Sequence, residues 1–249
     1  MDKSPSIPCF ERGCALVKQR REKGVLIVAF LLAIGLVTWT GGSRVVQTLA
    51  HGSMARTLVI DAGHGGFDGG AVGATGTTEQ DINLSIAQRV QSLAAFFGVP
   101  TTMTRTNEQA LDYDPSRSVR DNKIADIKAR EQLVQDEKNP VFISIHLNKF
   151  SDPQYHGAQV FYSSNHAGSR ALAELLQEAL IAGCDPSNNR QARPAEQSIY
   201  LMKVLTCPAV IVECGFLSNP AEEALLGNEE YHKKLAACIV SGYLQYDGG

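Results

Sequence analysis

Three apolar runs do most to limit the fold. TLVID (57–61), VFISIHLN (141–148) and the start of PAVIVECGFLSN (208–219) are rich in β-branched residues, as strands covered on both faces are. VPTTMTR (99–105) and GAQVFYS (157–163) read as two further strands. Stretches with helical spacing separate them. Residues 77–98 carry an apolar stripe of Ile82, Ile86, Val90 and Leu93, with acids in the first turn and Gly98 as the stop. Helices are also expected over 118–137, 169–183, 220–227 and 228–246, a polar loop over 186–198, and either helix or strand at IYLMKVL (199–205). Strands alternating with helices predict a single α/β domain over 57–249, its sheet covered by helices on both faces.

The first forty residues differ in kind. Residues 1–24 hold six Lys/Arg and three Asp/Glu, and the apolar run VLIVAFLLAIGLVTW (25–39) carries no charge. As a helix that run would be about 22 Å long, short for a bilayer core of about 30 Å but extendable at both ends. A basic cytoplasmic N-terminus (1–24), a signal anchor or signal peptide (25–40) and a linker (41–56) are expected. TLA (48–50) is a poor cleavage site, which favours an uncleaved anchor with the basic end inside. The domain would then face outward and contact the membrane only through this segment. A formal net charge of −3 gives no sign of nucleic-acid binding. Six cysteines without a CxxC pair make neither a thiolate zinc site nor a disulfide scaffold, and sequence alone cannot pair them.

In open α/β sheets ligands sit outside the carboxyl ends of the strands. There the first strand is followed by His64 within GHGG, the third ends in His146 and the last in Glu213. Glu79 begins the first helix. Catalytic zinc takes three protein ligands and leaves one position open, and two histidines with a glutamate are a known set. His64, Glu79 and His146 fit the ligands. Glu213 fits the base that takes a proton from a metal-bound water. Asn148 and Arg190 are candidates for substrate contact, and Arg130 for a structural ion pair. Cys214 should point away from Glu213 into the core. His51, His156, His166 and His232 read as surface residues. GHGGFDGG lacks the GK[ST] ending of a phosphate cradle.

Together, VIDAGHGGFDGGAVGATGTTEQDINLSIAQRV, SIHLN, GAQVFY and VIVECGFLSNPAEE resemble the zinc-dependent N-acetylmuramoyl-L-alanine amidases that cleave bacterial peptidoglycan. The resemblance runs from about residue 57 to the C-terminus and is greatest to the germination-specific type. It implies a mostly parallel six-stranded sheet and one catalytic zinc ion on His64, Glu79 and His146, with Glu213 as the catalytic glutamate. It also implies peptidoglycan as substrate and an extracytoplasmic site of action in the developing spore; an accessory protein is left open by the sequence. The alternatives are a wall-binding protein of the same fold without turnover, and a zinc peptidase or deacetylase acting on wall fragments.

Overall fold

The computed structural model describes residues 56–246. The basic segment 1–24, the apolar run 25–40 and all but the last residue of the linker 41–56 lie outside the described residues, as does His51. Among the described residues no helix is long and apolar enough to cross a membrane.

The three apolar runs become β1 (Thr57–Ala62), β3 (Pro140–Asn148) and β6 (Ala209–Phe216). They lie side by side and parallel at the centre of the sheet. The short β2 (Thr101–Met103) flanks β1, while β4 (Gln159–Tyr162) and β5 (Arg193–Pro194) lie beyond β6. The order is β2-β1-β3-β6-β4-β5. β4 runs antiparallel to β6, and β5 is parallel to β4. Among the described residues the six-stranded sheet is therefore mixed: β2, β1, β3 and β6 run one way, β4 and β5 the other, and the antiparallel pairing is β6 with β4. Residues 149–158, between β3 and β4, contain no helix. A parallel return needs a crossover of about a dozen residues or more, usually helical, so the chain comes back in the opposite direction.

Each central strand feeds two layers, because alternate side chains point to opposite faces. Leu58, Ile60, Ile143, Ile145, Val210 and Val212 pack beneath α1 (Glu79–Phe96), α3 (Gly168–Gly183) and α6 (Glu229–Gln245). Cys214 belongs to this core and is fully buried. Val59, Phe142 and Ile211 face the thinner layer of α2 (Val119–Asp136) and α4 (Tyr200–Val204). IYLMKVL thus resolves as a one-turn helix. α5 (Pro220–Leu226) starts with proline in its first turn, and the Asn219 side chain accepts from the backbone N–H groups of Ala221 and Glu222.

His232 departs from the surface reading. It is buried, donating from Nε2 to the Leu226 carbonyl at 2.5 Å and meeting the Ser85 hydroxyl through Nδ1 at 2.8 Å. That face of α6 packs against α1, so a polar ring there is satisfied by the neighbouring helix rather than by water.

Candidate active site

Asp61, Ser144, His146 and Glu213 continue the alternation of Val59, Phe142 and Ile211, on the face that α2 and α4 cover only thinly. A cavity of about 350 Å³ opens there, with Asp61, His64, His146 and Glu213 among its lining. His146 and Glu213 are direct register partners on adjacent parallel strands.

His64 lies just beyond β1 with φ of +63°, a left-handed conformation rare for a residue with a side chain. Such a conformation costs on the order of 1–3 kcal/mol and persists where neighbours over-determine it. Two buried arginines do so. Arg130 donates to Ala62 O at 3.0 Å and to His64 O at 2.6 Å. Arg105 donates to Ala62 O at 2.9 Å and to Gly63 O at 3.0 Å. Arg130 also pairs with Asp61 at 2.5 Å and Asp126 at 2.8 Å, the ion pair expected of it. Gly63 leaves room for the second histidine: a Cβ there would come within 2.3 Å of the His146 ring.

Glu79 brings the imidazoles together. Its Oε1 lies 3.2 Å from His64 Nε2 and 3.0 Å from His146 Nδ1, and it accepts from the Leu147 N–H at 3.0 Å. Its Oε2 accepts from the Ala71 N–H at 2.8 Å. The two rings meet edge to face at 5.0 Å. One donor atom from each of His64, Glu79 and His146 lies within 4.8 Å of the other two. Two nitrogens and one carboxylate oxygen so close together suit a zinc-type divalent ion.

The electrostatics follow from these contacts. Burial alone would raise the Glu79 carboxyl, but the two histidines outweigh it and hold the group far below the usual range. Burial would lower the His64 imidazole, yet Asp68 and Glu79 lift it to about 9. Glu213 goes the other way. Burial, reinforced by Glu79 and opposed by the histidines, pushes it up to about 7. Its Oε2 is sealed from solvent and has no hydrogen-bond partner.

The structure therefore brings His64, Glu79 and His146 into one cluster and places Glu213 on the same cavity. Asn148 and Arg190 do not line it. Asn148 pairs with Phe216 past a register shift. The Arg190 guanidinium donates to His156 O and Gln159 Oε1 and lies 4.6 Å from the Phe216 ring.

Sequence reasoning missed Asp68, whose Oδ2 meets His64 Nδ1 at 3.1 Å and whose Oδ1 accepts from Lys123 at 3.1 Å. Its offset of four residues from His64 was the available signal. Two acids after β6 were also missed. Glu222 accepts from the N–H groups of Gly157 and Phe216. Glu223 accepts from the N–H and hydroxyl of Thr75, tying down the loop that follows His64.

Residues 58–245 match the family described as N-acetylmuramoyl-L-alanine amidase. The germination-specific N-acetylmuramoyl-L-alanine amidase of Bacillus subtilis (strain 168) is 35% identical over 191 residues, 77% of this chain and 79% of that protein. The CwlD amidase of Clostridioides difficile, solved in complex with the GerS lipoprotein, superposes with a TM-score of 0.74 at 37% identity. That match covers 77% of this chain and 98% of the other. AmiC2 of Nostoc punctiforme gives a TM-score of 0.60 at 28% identity, over 77% and 96% of the two chains.

Proposed function

The chain belongs to the N-acetylmuramoyl-L-alanine amidase family, and from this we infer its reaction: hydrolysis of the amide between N-acetylmuramic acid and the first L-alanine of the peptidoglycan stem. His64, Glu79 and His146 would hold a zinc ion, which when bound supplies a Lewis acid and a water of lowered pKa. Glu213 takes the proton from the attacking water and returns it to the alanine nitrogen as the C–N bond breaks. Asp68 keeps His64 oriented through Nδ1, leaving Nε2 for the metal. The apolar walls of the cavity, including Phe67, Ile199, Met202 and Ile211, limit competing water around Glu213. Asn148 and Arg190, outside that cavity, take no part in bond breaking; contact with glycan or peptide carboxylates is the role open to them.

The single observation that carries this reading is the enclosed, unpartnered Oε2 of Glu213 on a cavity shared with both imidazoles. A buried carboxylate oxygen without a partner is costly, and an acceptor for the water's proton accounts for it. Glu213→Gln should keep bound zinc and lose about 10²-fold or more in the release of alanine-ended peptides from peptidoglycan. Near-normal release would remove Glu213 from this role.

The relatives support a setting that we propose for this chain. One is germination-specific and another is solved with a lipoprotein. The enzyme acts outside the cytoplasmic membrane on spore peptidoglycan, removing stem peptides so that muramic δ-lactam can form. An accessory lipoprotein assists it, and the apolar run 25–40 tethers it.

A further inference from the structure

On the face of the sheet away from the site, two cysteines distant in sequence meet. Cys184 directly follows α3 and Cys238 lies within α6, two helices packed along one another. Their Sγ atoms are 3.6 Å apart, and all four described cysteines are free thiols. The contact is built into the packing. A Cβ on Gly183 would come within 2.3 Å of Cys238 Sγ, so glycine at that position is what leaves the sulfur its space. Cys238 is largely buried but lines an open hollow between the two helices, beside Lys234 and Ser241, and Cys184 is half-buried. The other thiols are placed differently. Cys207 packs with the core of the opposite face, and Cys214 is fully buried with its sulfur against the Val212 carbonyl.

We propose that Cys184 and Cys238 form a disulfide when the protein meets the oxidising side of the membrane, joining the end of α3 to α6. A disulfide bond is about 2.05 Å long, so the sulfurs have about 1.5 Å to close. The oxidant is a protein or small-molecule disulfide. The Cys238 thiolate attacks one of its sulfurs, forming a mixed disulfide and expelling one thiolate. Cys184 then attacks Cys238 Sγ, the Cys184–Cys238 bond forms and the second oxidant thiol leaves. The oxidant gains the two electrons and two protons that the cysteines lose. The contact between the two thiols and the nearby Lys234 favour a thiolate at Cys238. The loop that closes, 184–238, contains β5, α4, β6 and α5, and therefore Glu213.

The test treats the full-length protein with oxidised glutathione, blocks remaining thiols under denaturing conditions and maps the peptides by mass. The expected result is a linked pair containing Cys184 and Cys238, with Cys207 and Cys214 blocked as free thiols. The oxidised form should melt about 10 °C above the reduced form. C184S and C238S should each abolish both the linked pair and the melting shift, while C207S keeps them. Free or merely glutathionylated Cys184 and Cys238, or a different pairing, would overturn the proposal. Because the wild-type map stands alone, a variant that fails to fold does not blur the outcome.

Discussion

At the scale of single residues, the site depends on carboxylates that play unlike parts. Glu79 is fixed by two imidazoles and two backbone N–H groups, Asp68 is shared between His64 and Lys123, and Glu213 is left without a partner. Asp68 sets the direction of the His64 ring, so Asp68→Asn should weaken zinc affinity by about 10- to 100-fold, measured by competition with a chromophoric chelator. Unchanged affinity would reduce Asp68 to a loop contact. His64, Glu79, His146 and Glu213 were legible in the sequence because three end or follow apolar strands and the fourth opens a helix. Asp68 and Arg105 were not. Each serves another residue, and that service appears only when β1, the glycine loop and the end of β2 are folded together.

At the scale of elements, the junction between β1 and the glycine loop is the tightest point. Gly63 has ordinary backbone angles, so alanine is tolerated by the chain but not by the His146 ring 2.3 Å away. Gly63→Ala should keep a native circular dichroism spectrum while hydrolysis falls about 10²-fold, the scale of loss from a misplaced reacting group. A fully active variant would show that the ring can move without consequence. The long elements were readable from their periodicity, whereas the short ones were not. β5 is two residues, Arg193 and Pro194, with no apolar pattern. α4 is an apolar five-residue turn, too short for period to separate helix from strand. The reversal of β4 follows from the short connection 149–158; the sequence shows no helix in that gap, but the direction of the next strand was not drawn from it.

At the scale of the whole molecule, stability and site share one buried pair. Asp61 would be raised by burial, but Arg130, with hydrogen bonds from Ser144 and Thr104, holds it below the usual carboxylate range. A folded-state value below the unfolded one stabilises the protein fully above the ordinary aspartate range. That contribution is lost as pH falls through the lowered value. Arg130→Met leaves Asp61 charged, buried and unpaired, which should cost about 3–5 kcal/mol near neutrality. The deficit should shrink in acid as Asp61 takes up a proton, and urea unfolding across pH measures it. A deficit independent of pH would indicate lost packing instead. The sheet order is consequential in another way. Every proposed site residue precedes Glu222 and Glu223, which fasten the end of β6 and the loop after His64, and α6 then covers α1. A growing chain therefore carries its proposed ligands before it has the scaffold to aim them, and the site is set only once the segment 219–246 has folded onto the rest.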